Sequence, residues 1–150
     1  MCTAVTYKTK DHYFGRNLDL YYNYREQITV TPRNFPIKFS MLGELKNHYA
    51  IIGMAYVVDD FPLYYDAVNE AGLCIAGLSF TGNAYYQNVS EMKINIAPFE
   101  FIPWILGQCN NVAQANALLQ RISVWALPFS REFPLSPLHW IVADKETSIV

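Results

Sequence analysis

Two near-continuous apolar runs constrain this chain more than anything else in it. Residues 50–58 and 73–80 hold scarcely a polar side chain, and glycines and alanines sit among their larger apolar residues. A strand with one wet face alternates polar and apolar residues, so a run that does not alternate suits a strand covered on both faces. The pair predicts central strands of a layered fold, with Asn69-Glu70-Ala71-Gly72 as a turn between them.

Further strands flank these runs. Thr3-Ala4-Val5-Thr6-Tyr7-Lys8-Thr9 is β-rich, Lys10-Asp11 makes a turn, and His12-Tyr13-Phe14-Gly15 returns as the second arm of a hairpin. Gln27-Ile28-Thr29-Val30-Thr31 alternates and stops at Pro32, which has no N–H for a sheet ladder. Late in the chain, Leu138-His139-Trp140-Ile141-Val142 reads as a strand. Asp144-Lys145-Glu146-Thr147 reads as a tight turn, and Ser148-Ile149-Val150 opens another strand.

The middle changes period. Phe99, Ile102, Ile105 and Leu106 recur at helical spacing behind Pro98, and Pro103 predicts an irregular start or a kink. Asn111 caps a second helix with Val112, Ala115, Leu118, Leu119 and Ile122 along one face. Strands, two adjacent helices and strands again argue for an α+β layered fold in a single domain, 1–150, rather than for alternating βαβ units.

Composition removes whole classes of function. With 52% hydrophobic and 16% charged residues among 150, the chain is not a disordered polar segment. A formal charge of −2 gives no positive field for nucleic acid. No apolar stretch reaches the ~18–20 residues of a membrane span. His12, His48 and His139 lack zinc-type spacing, so neither metal nor cofactor is expected. Three cysteines without a CxxC pair, and no secretory leader, point to a reducing cytoplasm, which makes the sequon Asn88-Val89-Ser90 accidental.

Cys2 is the residue with unusual chemistry. Removal of Met1 leaves an amine of pKa ~8 and a thiol of pKa ~8.5 on one residue, so a proton passes between them at almost no cost. The thiolate attacks, and its own amine replaces a histidine base. Phe14-Gly15-Arg16-Asn17-Leu18-Asp19 places Arg16 and Asp19 on the strand paired with that of Cys2, where Arg16 can stabilise a thiolate and Asp19 can hold the ammonium. Cys74 and Cys109 read as small buried hydrophobes, and His139 as a packing residue.

The opening Cys2-Thr3-Ala4, then Phe14-Gly15-Arg16-Asn17-Leu18-Asp19-Leu20, Thr31-Pro32-Arg33-Asn34, Asn69-Glu70-Ala71-Gly72-Leu73, Ala76-Gly77-Leu78, Pro98-Phe99-Glu100-Phe101-Ile102-Pro103-Trp104 and Leu138-His139-Trp140 together resemble the choloylglycine hydrolase family. That family comprises conjugated bile salt hydrolases and penicillin V acylases, and the likeness is nearer to the former. The resemblance implies an N-terminal nucleophile hydrolase with an αββα sandwich, of which this chain is the N-terminal half. It implies a catalytic set of Cys2, Arg16, Asp19 and the backbone N–H of Ser79. Leu18, Tyr22, Tyr24, Val58, Phe61, Tyr65, Phe129 and Phe133 are implied as the steroid-binding wall. The expected substrate is a glycine- or taurine-conjugated bile salt. No nucleic-acid or membrane partner is expected, and the assembly implied is a homo-oligomer, a tetramer in relatives.

Ser79 departs from the family, which carries Asn or Tyr there, so bile salt and penicillin V both stay open as substrates, and Asn83 could compensate only if its loop turns inward. The chain alone is expected to be inactive and to self-associate, because half a sandwich leaves edges unpaired.

Overall fold

The computed structural model describes residues 2–19, 23 and 25–150. The chain opens as the hairpin β1 (Thr3–Lys8) and β2 (His12–Asn17), antiparallel from Thr3↔Asn17 to Lys8↔His12. There follow β3 (Gln27–Thr31), the short pair β4 (Ile37–Phe39) and β5 (Gly43–Leu45), and the long strands β6 (Ile51–Val58), β7 (Phe61–Asn69) and β8 (Cys74–Ser79). Next come β9 (Ile94–Ile96), a 3-10 turn at Pro98–Glu100, helices α1 (Phe101–Gln108) and α2 (Val112–Leu119), β10 (Ile122–Val124), β11 (Leu138–Ala143) and β12 (Ser148–Ile149). The principal sheet is antiparallel with strand order β12-β11-β8-β7-β6-β3, and β9 and β10 form a small parallel pair beside it.

α1 and α2 close one face of this sheet. Ile105 and Leu106 of α1 are buried with Ile51, Ala55, Ala67 and Ile75 of the sheet and with Leu73 just before β8, and each such isoleucine or leucine contributes roughly 1.5–3 kcal/mol. Pro103 breaks no ladder, because it falls in the first turn of α1, where an N–H has no intrahelical partner. The irregular start is the 3-10 turn itself, held by the Glu100 carboxylate accepting from Ala97 N at 2.7 Å. At the far end the Asn69 amide donates to the carbonyls of Leu106 and Cys109, at 2.8 and 2.7 Å, and so caps α1 from β7. Asn111 caps α2 as its position predicts, accepting from Gln114 N at 2.9 Å.

Three readings of the sequence need correction. Residues 61–69 form the strand β7 between the two apolar runs, so Asn69-Glu70-Ala71-Gly72 turns β7 into β8 rather than joining the runs directly. Ile122 belongs to β10, not to the apolar face of α2, although it reaches the same core. The third concerns β6. β8 is buried along most of its length, but β6 leaves Ile52 45% and Val57 38% exposed. The apolar face of the hairpin β1–β2 packs on β8 and β11, where Cys2, Ala4 and Phe14 meet Ala76, Leu78 and Ile141.

β6 and β7 are joined by a two-residue reversal, Asp59-Asp60, with Val58 paired to Phe61. Both aspartates have positive φ, 50° and 62°, the backbone of a type I′ hairpin turn.

Candidate active site

Cys2 immediately precedes β1, β2 carries Arg16 near its end, and the hairpin register sets Ala4 opposite Arg16. Residues alternate across each strand, so Ala4 and Phe14 turn toward the sheet and bring Cys2 down on β8 and β11. Cys2 is half-buried, whereas Cys74 and Cys109 are buried. Burial pushes both of those thiols up to about 11, Cys74 with help from the nearby Asp144 charge. Near neutral pH they are therefore unreactive, as their sequence context predicts.

Arg16 is more deeply placed than its position on a terminal hairpin implies. Its side chain is 5% exposed. Nη2 donates to the Gly77 carbonyl of β8 at 2.9 Å, and Nη1 lies 3.6 Å from the Asp66 carboxylate of β7. Nε and Nη1 are buried and make no hydrogen bond among the described residues. Burial pushes the Asp66 carboxyl above its ordinary range, and the Arg16 charge pulls it part of the way back. Asp66 was not among the residues singled out in the sequence. The available signal was a lone carboxylate in the strand Leu63-Tyr64-Tyr65-Asp66-Ala67, but its partner lies fifty residues away in sequence.

The other implied residues divide into groups. Asp19 is exposed just past β2, and Leu18 beside it is half-buried. Ser79 ends β8 opposite Leu138 of β11, with its hydroxyl 3.2 Å from that of Thr81. Asn83 lines a cleft of about 760 Å³ together with Phe101, Leu119 and Trp140. That cleft lies on the helix-covered side, away from the sheet face that Cys2 packs against.

Val58, Phe61, Phe129 and Phe133 are brought together. Phe61 meets Phe129 at 5.9 Å between centroids, Phe129 meets Phe133 at 6.2 Å edge-on, and Phe133 meets Tyr56 at 5.3 Å. Phe61 itself is buried among Phe39, Phe99 and Phe129. Tyr65 is half-buried on β7, at the irregularity between Met54 and Ala55 of β6. Tyr22 and Tyr24 lie outside the described residues. Among the described residues there is no cluster of side chains suited to a metal ion, and no helix long and apolar enough to cross a membrane.

The half-buried Cys2 thiol and the buried Arg16 guanidinium thus belong to one hairpin, in a chain that matches a known family. The model for linear amide C–N hydrolases, choloylglycine hydrolase family, matches residues 2–150. The chain belongs to the choloylglycine hydrolase family. It is 51% identical over its whole length to a bile salt hydrolase/transferase of Lactiplantibacillus plantarum, covering 46% of that protein. It is 37% identical to a conjugated bile acid hydrolase of Lactobacillus gasseri, covering 48% of it. The C2A mutant of the conjugated bile acid hydrolase from Clostridium perfringens superposes with a TM-score of 0.92 at 36% identity, over all of this chain and 47% of that one. A penicillin V acylase from Agrobacterium tumefaciens shares the fold, with a TM-score of 0.59 at 16% identity over 80% of this chain and 35% of that one. The chain thus spans about half the length of the curated relatives it matches.

Proposed function

We propose that the complete protein hydrolyses the amide bond of glycine- or taurine-conjugated bile salts through an acyl-thioester on Cys2. The observation that carries this reading is that Cys2 alone of the three thiols is not buried, at the head of the hairpin that holds the buried Arg16 side chain. Once Met1 is removed, the Cys2 thiol passes its proton to its own α-amine, and Sγ attacks the amide carbonyl carbon. The carbonyl oxygen becomes an oxyanion beside the Ser79 N–H, a main-chain donor that does not depend on the side chain at that position. Collapse expels glycine or taurine, whose nitrogen takes the proton from the α-ammonium. Water then adds to the thioester, returns a proton to the amine, and releases the bile acid.

In this reading Arg16 supports the thiolate and Asp19 orients the amine. Val58, Phe129 and Phe133, backed by the buried Phe61, offer apolar surface to a rigid steroid, worth roughly 25 cal/mol per Å² removed from water. The 150 residues are the first part of one catalytic domain, in a cytoplasmic homo-oligomer. Ser79 keeps penicillin V as the competing substrate, since relatives of both kinds differ at this position.

Intact mass and turnover test the proposal. The mature protein is expected to lack Met1, to prefer glycocholate or taurocholate to penicillin V, and to lose turnover on Cys2→Ala while staying folded. Retained Met1 or an active Cys2→Ala variant overturns the mechanism. A tenfold preference for penicillin V overturns the substrate.

A further inference from the structure

The geometry around Arg16 assigns a role to a carboxylate that the proposed mechanism leaves unused. We propose that Asp66 is the positioning residue for Arg16, holding the guanidinium in the seam between the β1–β2 hairpin and the sheet, on the face where Cys2 packs. This rests on the reading of Cys2 as nucleophile with Arg16 as its support.

A guanidinium 5% exposed has lost most of its hydration, and a buried charge without a partner is strongly destabilising. Gly77 O takes one N–H at 2.9 Å, which fixes one end of the fork but neutralises no charge. Asp66 supplies the opposite charge, 3.6 Å from Nη1. Asp66 itself sits on a paired strand, opposite Met54 of β6 and Ala76 of β8. At 3.6 Å the contact is an ion pair rather than a hydrogen bond, so Nη1 and Nε keep their hydrogens unclaimed among the described residues. An anchor of that kind places the cation while leaving donors for another anion.

The strand is built to make this possible. Tyr64 packs in the helix-side core, its hydroxyl 2.7 Å from that of Thr31, and Ala67 packs on that same side. In a regular strand Tyr64 and Asp66 would share one face. The pairing instead runs Met54↔Asp66 and then Ala55↔Tyr64, which leaves Tyr65 as the extra residue of a β-bulge. The bulge reverses the alternation, so Asp66 turns to the opposite face beside Ala76, over which the hairpin lies. One inserted residue thus serves both the core and the seam.

The test uses the complete protein, with kcat and KM for glycocholate, and the rate at which iodoacetamide alkylates Cys2 at pH 7. Asp66→Asn keeps the shape and removes the charge. It is expected to lower kcat about 100-fold, the usual cost of misplacing a catalytic group by an ångström, to leave KM unchanged, and to slow Cys2 alkylation. Removing a nearby negative charge without disturbing Arg16 would act in the opposite direction, favouring the thiolate. In an Arg16→Leu background, Asp66→Asn is expected to cost nothing further, because its effect passes through the missing cation. Unchanged kcat for Asp66→Asn, faster alkylation, or losses that multiply in the double variant overturn the proposal.

Silent Cys74 and Cys109 report that the variant is folded. If they become reactive, the decision passes to Asp66→Glu, whose longer arm displaces the guanidinium. A lowered kcat with unchanged KM and thermal stability supports the proposal, and parental kcat overturns it. If the parent releases no glycine from glycocholate, the bile salt reading fails, while the alkylation rates still decide whether Asp66 places Arg16.

Discussion

The two faces of the principal sheet are finished to different degrees. On the helix side, α1 and α2 bury Ile51, Ala55, Ile75, Ile105 and Leu106 in one continuous core. On the other side the hairpin covers β8 and β11, and the β3–β6 end is left open, with Ile28 74% and Val30 59% exposed beside Ile52. The candidate site lies on the second face, where cover is partial and charged groups can be held between layers without a continuous apolar core. The first face supplies rigidity, and the second supplies the seam in which Cys2 and Arg16 meet.

The contrast can be broken most forcefully on the helix side. Leu106→Ala removes a fully buried side chain and is expected to cost about 3–4 kcal/mol by denaturant titration. Gly53→Ala comes next. A methyl group there would lie 2.1 Å from the Asp66 carbonyl oxygen and 2.5 Å from the Ala67 Cβ, an overpacking expected to cost about 2–3 kcal/mol. Asn111→Ala removes the cap of α2 and should cost about 1 kcal/mol.

Ile52→Ala on the open face should cost less than about 1 kcal/mol in the 150-residue chain, since almost half of the side chain is already in water. A loss equal to that of Leu106→Ala would end the comparison. Repeating Ile52→Ala in the complete protein sharpens it. Relatives twice as long have room for a second layer over this face, and the cost is then expected to rise to about 2–3 kcal/mol.

The smallest effect is at the rim. Hydrogen bonds from Arg33 hold the Glu70 carboxyl down to about 2. A depressed carboxylate stabilises the fold above its ordinary range, and that contribution is lost as pH falls toward 2. The stability gap between the parent and Glu70→Gln should therefore be present at pH 7 and closed near pH 2, in thermal melts across that range.

Local patterns in the sequence carried the hairpin, β3, β8, β11 and the Asn111 cap of α2, because each is written in neighbouring residues. β7 escaped detection for two reasons. Pro62 argues against a central strand, yet it sits at the hairpin end of β7, opposite Val57. Tyr64-Tyr65-Asp66 then spoils any alternation, and the bulge explains why. β9 and β10 are three-residue strands paired across two helices, so no local signal announces them.

In the site, the nearness of Cys2 and Arg16 follows from hairpin register and was legible. The Asp66–Arg16 ion pair is long-range and was not. Nor was the buried Glu100, which ties Ser40 to the start of α1 by accepting from the Ser40 hydroxyl at 2.8 Å. Only the folded arrangement reveals that either carboxylate has an assignment.

The reversal at Asp59-Asp60 has a consequence for evolvability. Both residues hold left-handed backbone that glycine or asparagine adopts at lower cost. The tip that presents Val58 and Phe61 is therefore kept slightly wound, like a spring. A single exchange to glycine at Asp60 would slacken it, giving the lineage a way to loosen the β6–β7 tip without altering Val58 or Phe61.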